Sequence, residues 1–410
     1  MSTTYRIPGA VLTEREHSVP LVHGDPQRGS ISVFTREVAA PDGGDRPCLV
    51  YLQGGPGFEA TRPTSPPTGW LLRALADFRV LLLDQRGTGR STPVGSVIPG
   101  ATPADQAEYL THFRADAIVR DLELIRAELG IERWSLLGQS FGGFTALTYL
   151  SLAPEGLREV LITGGLAPVA GQPVDAVYAA TWARTREANQ RYHARYPGDL
   201  DRLRSLLRRL DDEDIRLPGG DRLTARRFRQ TGMWLGASTG FEQLHHLLEL
   251  PVGSPAFLWD AQQASSWERN PIYATLHESC YADGGSTRWS AHRLAPEDAV
   301  RGDLLAGEHV FPWMWDNYAG LHAHREVAHL LAEHAWPRLY DTDRLARNEV
   351  PVAAAVYVDD MYVDRALAED TARRVRGLRA WITNEYAHNG LRADGERILA
   401  RLLDMVRGRA

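Results

Sequence analysis

An apolar run of strand-forming residues, Trp134 to Leu137, meets Gly138-Gln139-Ser140-Phe141-Gly142 and passes at once into helix-like spacing from Phe144 to Leu152. No loop fits between the two. Gly-x-Ser-x-Gly set between a strand and a helix is the pattern of a nucleophile elbow. So tight a turn excludes bulk two residues either side of the serine, which Gly138 and Gly142 satisfy, and it forces the serine into a strained backbone conformation. The Ser140 hydroxyl is then expected at the carboxyl edge of a sheet, facing the first amides of the next helix, where negative charge is favoured. A dinucleotide-binding turn also joins strand to helix through glycines. Its G-x-G-x-x-G pattern needs a glycine where Ser140 stands, and it belongs near the start of such a domain.

The flanking sequence alternates strand and helix. Tyr5 to Pro41 reads as an antiparallel pair of strands, with period-two alternation clearest over Ile31–Val38. A buried strand, Cys48–Leu52, runs into Gln53-Gly54-Gly55-Pro56-Gly57, and a glycine-rich loop at a strand end lets backbone amides approach a ligand. A second continuous apolar run, Arg79–Asp84, ends in Gln85-Arg86-Gly87-Thr88-Gly89-Arg90-Ser91. That loop lacks the Gly-Lys-Ser/Thr ending of a phosphate cradle, so Asp84 and Arg86 are expected to brace neighbouring loops. Helical spacing follows from Ala104 to Gly130, then the elbow, then a strand at Glu159–Gly165. The alternation predicts a doubly wound α/β fold with a mainly parallel sheet.

The rhythm changes after Leu166. From Asp175 to about Leu345 the chain has helical spacing and almost no buried-strand runs, as expected of a helical insertion over the strand ends. Strand pattern resumes at Val350–Val358 and again at Leu378–Thr383, before a closing helix over Gly395–Val406. The expected division is a core of residues 1–170 and 346–410 interrupted by a cap of residues 171–345.

A formal charge of −6 with no long basic block excludes the usual nucleic-acid partner, and the arginines of Arg202–Arg209 fit the solvated face of a helix. Two cysteines, Cys48 and Cys280, are too few for a disulfide framework, although one bridge is possible. No apolar run is long enough for a bilayer and no leader pattern opens the chain, so no membrane partner and a cytoplasmic address are expected.

Serine at its ordinary pKa is a poor nucleophile. Acyl transfer requires a base in hydrogen-bond reach and a third group to orient that base. His388 lies in the loop after the last strand, before the last helix. The acid belongs at the end of the strand that resumes after the insertion, where Asp359, Asp360 and Asp364 all stand. Neighbouring side chains point in different directions, so only one of Asp359 and Asp360 can face the histidine. The backbone amides of Phe141 and Gly55 are the expected oxyanion donors, since Pro56 has none to offer.

Taken together and in order, Gly54-Gly55-Pro56-Gly57, Asp84-Gln85-Arg86-Gly87-Thr88-Gly89-Arg90-Ser91, Gly138–Gly143 and Thr383-Asn384-Glu385-Tyr386-Ala387-His388-Asn389-Gly390 resemble the prolyl aminopeptidases (proline iminopeptidases), in their longer bacterial branch. The resemblance covers nearly the whole chain and is weaker in the insertion. It implies an α/β-hydrolase fold and a serine aminopeptidase that releases amino-terminal proline from small peptides or amino-acid amides, with no metal and no cofactor. It assigns Ser140 as nucleophile, His388 as base and Asp360 as acid, because Asp-Met follows the strand as in that family. Where the family often has His-Gly-Gly-Pro-Gly, this chain has Gln53, a departure in the oxyanion loop rather than in the chemistry.

An exopeptidase must also hold a free ammonium, whose lost hydration calls for carboxylates. Glu278 resembles the family's amine-binding glutamate and Glu308 is the expected second, with Tyr281, Phe311, Trp313 and Trp315 as candidate walls for a pyrrolidine ring or as insertion core. Two other functions fit parts of the pattern. One is an esterase or amidase of the same fold acting on a small acyl substrate without a free amine. The other is a non-catalytic binding protein on a hydrolase scaffold, against which the three residue types at strand ends speak.

Overall fold

The computed structural model describes residues 2–410. Nine strands form one sheet: β1 (Ser2–Ile7), β2 (Ala10–Pro20), β3 (Ser30–Ala39), β4 (Cys48–Leu52), β5 (Arg79–Leu83), β6 (Trp134–Gln139), β7 (Leu157–Thr163), β8 (Val352–Tyr357) and β9 (Leu378–Thr383). Their order is β1-β2-β3-β5-β4-β6-β7-β8-β9. The pairs from β1 to β5 by way of β3 are antiparallel, and every later pair is parallel. Parallel strands need helical crossovers that cover both faces, and accordingly every residue of β4 and β8 is buried. Leu136 and Ile162 pack with Phe144 and Leu147 on one face. Leu137 and Leu161 pack with Leu75, Ile398 and Leu402 on the other.

Between β7 and β8 the described chain is helical apart from two isolated bridges. This layer carries cores of its own, one around Leu203, Leu206 and Phe228, the other around Trp182, Trp315 and Tyr318. In its helix Asp199–Asp212 the leucines at 203, 206, 207 and 210 are buried while Arg202, Arg204 and Arg208 face solvent, as their spacing requires.

Two local features differ from the sequence expectation. The amino-terminal ribbon has three strands, not two, because Gly9 at φ +80° lets β1 fold back on β2. The helical stretch from 104 to 130 is two helices, Pro103–Thr111 and Ala115–Glu128. The break turns the buried Arg114 outward from its helix to the carbonyls of Pro337 and Ala282 and over the ring of Trp336. A single bridge between the two cysteines, left open by the sequence, is not formed: Cys48 and Cys280 are both free and buried.

The loop after β5 is a brace. Asp84 accepts from the amides of Ala60 (3.2 Å) and Arg90 (3.0 Å), and burial pushes its carboxyl pKa up despite those bonds. Buried Arg86 grips Asp121 at 2.7 and 2.6 Å and donates to the carbonyls of Leu21 and His112. No described helix is long and apolar enough to cross a membrane.

Candidate active site

Ser140 is the turn residue between β6 and the helix Phe141–Leu152, with φ 55° and ψ −123°. An L residue pays on the order of 1–3 kcal/mol to sit there, so the surroundings must hold it. They do so by contact. A Cβ on Gly142 would lie 1.9 Å from the Leu52 carbonyl oxygen, and one on Gly138 would lie 2.4 Å from that of Gly142. The Ser140 amide donates to the Thr163 carbonyl at 3.0 Å, locking the turn against β7.

Phe141 opens the helix, so its amide has no acceptor one turn back and is free to donate. Across from it, Gly54 and Gly55 carry the other side of the site, and a Cβ on Gly54 would come 3.0 Å from the Ser140 Cβ. The insertion holds this loop down: Asn270 Nδ2 donates to the Gly57 carbonyl at 2.9 Å. Gly57 is pressed against Ile272 and the Tyr273 amide so closely that no side chain would fit.

His388 and Asp360 meet from separate strand ends. The ring Nδ1 is 2.7 Å from Asp360 Oδ2, and Asp360 Oδ1 accepts from the amides of Tyr362 (2.8 Å) and Val363 (3.0 Å). A carboxylate only accepts, which assigns the proton to Nδ1 and leaves the lone pair on Nε2. Burial disfavours the charged imidazole, but the Asp360 carboxylate, with Glu308 further off, outweighs it, and the pKa of His388 is raised. Asp359 is exposed and paired with Arg191, while Asp364 caps the helix Arg365–Arg374 and binds Arg184. Geometry therefore singles out Asp360 as the partner of His388.

Ser140, His388, Gly55 and Glu308 all line one cavity of about 580 Å³ under the insertion. Glu308 accepts from the Tyr273 hydroxyl, and among the described residues no basic side chain pairs with it. Its neighbours cannot supply charge: burial pushes His309 down to about 3 and lowers His277, whose Nε2 faces the Glu308 carbonyl at 3.2 Å. The result is an uncompensated carboxylate facing the same space as the serine.

Glu278 is placed elsewhere. It is 7 % exposed, lies outside this cavity, and accepts from the amides of Ser290 (3.2 Å) and Ala291 (2.9 Å). Burial raises its pKa although those amides and the Thr287 hydroxyl pull the other way. Its oxygens hold a turn, and of the two expected cavity glutamates only Glu308 lines this cavity. Of the two readings of the aromatics, that of insertion core holds for three of them. Phe311, Trp313 and Trp315 pack inside the insertion, and Tyr281 donates to the Tyr362 carbonyl (3.1 Å). The cavity is walled instead by Phe58, Tyr273, Tyr362 and Met233. Sequence reasoning passed over Tyr273 and Tyr362, although each stands within five residues of a residue it did single out.

The site loops are tied to the insertion at several points. The His388 amide donates to the Gly236 carbonyl (3.1 Å), the Tyr362 hydroxyl to that of Met233, and Ser238 bonds Asn389 through both amide and hydroxyl.

Residues 47–265 match the α/β hydrolase fold family. Over 406 residues the chain is 48% identical to the proline iminopeptidase of Aeromonas sobria, covering 95% of each chain. A second proline iminopeptidase, from Aspergillus aculeatus, is 33% identical over 98% of this chain and 95% of its own. That of Lactobacillus delbrueckii subsp. bulgaricus is 36% identical over 129 residues, 30% of this chain and 37% of its own. With the serine at its elbow, the histidine on its aspartate and two relatives matched end to end, the chain belongs to the proline iminopeptidase family of α/β hydrolases.

Proposed function

We propose that the protein is a prolyl aminopeptidase working through Ser140, His388 and Asp360. One observation carries the substrate class: Glu308, an unpaired carboxylate, faces the cavity that Ser140 and His388 line. An ammonium at the amino terminus of a peptide supplies the missing charge, and it sets the first peptide carbonyl over Ser140. A pyrrolidine ring suits the apolar walls of Phe58, Tyr273 and Met233. The names of the two full-length relatives support proline as the residue released.

In this mechanism Ser140 Oγ attacks the carbonyl carbon and passes its proton to His388 Nε2. The oxyanion is held by the amides of Phe141 and Gly55. The imidazolium, stabilised by Asp360, then protonates the leaving amine as the C–N bond breaks. Water, deprotonated by the same imidazole, cleaves the ester and frees the amino acid. The residues 171–345 act as the cap that excludes water, on the support of their ties to the loops of His388 and Gly57. The cytoplasm is the proposed compartment, supported by two unpaired buried thiols.

Hydrolysis of proline β-naphthylamide and of its N-acetylated form tests this. The free amine is cleaved and the blocked one is not, and Ser140→Ala removes turnover while the protein stays folded. Equal rates on both compounds would instead make the protein an esterase or amidase. Wild-type turnover by Ser140→Ala would end the proposal.

A further inference from the structure

The cavity is longer than a single prolyl group needs. Its lining also takes in the irregular segment Thr61–Thr68 and, from the short helix Gly390–Ala393, Leu391 and Arg392. Apart from His388, its lining carries three charged side chains: Glu308, Arg62 and Arg392. Both arginines are exposed to the cavity mouth, and among the described residues neither makes a side-chain hydrogen bond or an ion pair. What sets these two apart from the chain's other unpaired arginines, such as Arg133 and Arg208, is that they line the cavity of Ser140 and His388. Arg392 stands four residues beyond His388 on the same rim, and its charge is felt at both His388 and Tyr51.

We propose that Arg392, with Arg62 lining the same cavity, binds the terminal carboxylate of the leaving peptide, making zwitterionic di- and tripeptides the preferred substrates. The proposal rests on the aminopeptidase reading above. Extended chain advances about 3.3–3.6 Å per residue, so a substrate whose amine is at Glu308 and whose scissile carbonyl is at Ser140 brings its carboxylate to the mouth within one or two residues. There a planar guanidinium matches a carboxylate in a two-pronged bond. A longer peptide runs past both arginines and gains nothing from them.

The experiment compares kcat/KM for Pro-Ala with that for Pro-Ala-amide, which lacks the negative charge, in wild type, Arg392→Gln and Arg392→Lys. Wild type is expected to favour the free acid by about 5-fold, the size of a solvent-exposed ion pair. Arg392→Gln brings the ratio close to one through a rise in KM for the acid, Arg392→Lys keeps the charge but not the two-pronged bond and so only part of the preference, and 0.5 M salt erodes it in wild type. A wild-type ratio of one, or a ratio unchanged in Arg392→Gln, overturns the inference. Activity on proline β-naphthylamide, which has no carboxylate, separates this failure from failure of the aminopeptidase reading, since in the latter case that compound is not cleaved at all.

Discussion

His388 Nδ1 sits 2.7 Å from Asp360 Oδ2, and two backbone amides fix the other oxygen of the same carboxylate. Asp360 is thereby rigid before substrate arrives, and its one free direction points at the imidazole. Asp360→Asn keeps the shape but can offer its NH₂ to Nδ1, which moves the ring proton to Nε2, the nitrogen that must be bare. The expected loss in kcat is about 10⁴-fold with little change in KM. Steady-state kinetics on proline β-naphthylamide measure it, and a loss under 10-fold would show that His388 does not depend on this partner.

The same contact sets the acid limb of the pH profile. A base must be neutral to act, and the pKa of His388 is raised by Asp360 over the opposing effect of burial. Activity is therefore lost, as pH falls, at a point above the ordinary imidazole value of about 6.5. The sign for stability is opposite: a raised folded-state pKa stabilises the fold fully below the unfolded value, and that contribution disappears as pH rises through the folded one. The kcat/KM profile of wild type should therefore break above 6.5.

Glu308 and the Tyr273 hydroxyl predict a binding defect of a particular kind. Glu308→Gln keeps a hydrogen-bonding group of the same size and removes the charge proposed to meet the ammonium. A charged hydrogen bond of about 2 kcal/mol corresponds to roughly 30-fold in kcat/KM. The loss should appear against substrates with a free amine, and the variant should discriminate less between proline arylamide and its N-acetyl form. Unchanged discrimination would remove Glu308 from the amine site.

How far the sequence foretold this site depends on the kind of signal each residue leaves. Ser140 and His388 stand at strand ends, where local pattern alone reports position, and the parallel strands flanking them read as continuous apolar runs. Asp360 could not be separated from Asp359 by spacing. Only the fold shows that one turns inward to His388 while the other meets Arg191 in solvent. Inside the insertion, no period tells a helix face toward the cavity from a face toward its own core. Glu278 and Glu308 thus looked alike as acidic residues beside aromatics, yet one is spent on backbone amides and the other is not. The ribbon β1–β2 escaped because β1 is almost wholly exposed and carries no apolar alternation.

The buried pair of Arg86 and Asp121 predicts a loss of stability without a loss of chemistry. Neither side chain reaches water, and Arg86 also holds the carbonyls of Leu21 and His112, tying the ribbon to the helices. Asp121→Ala strands a guanidinium in the interior, at a cost of about 3–5 kcal/mol. Urea unfolding followed by circular dichroism measures it. At temperatures where the variant remains folded, KM should match wild type.

Glu278 offers a contrast to Glu308 that a single pair of variants resolves. Arg288 and Trp289 are consecutive non-glycine residues with φ of 51° and 57°, a left-handed conformation that costs about 1–2 kcal/mol per residue. The turn persists because Glu278 accepts the next two amides, Ser290 and Ala291, while the Arg288 amide donates to Ala332. In Glu278→Gln the amide oxygen can serve one of those donors and the NH₂ faces the other, so the turn loses its anchor and the unfolding midpoint falls by several degrees. Because Glu278 lies outside the cavity, KM for proline β-naphthylamide is expected to stay within about 2-fold of wild type, where Glu308→Gln raises it far more. A large KM effect with unchanged melting in Glu278→Gln would return this glutamate to the amine site and require the insertion to rearrange when substrate binds.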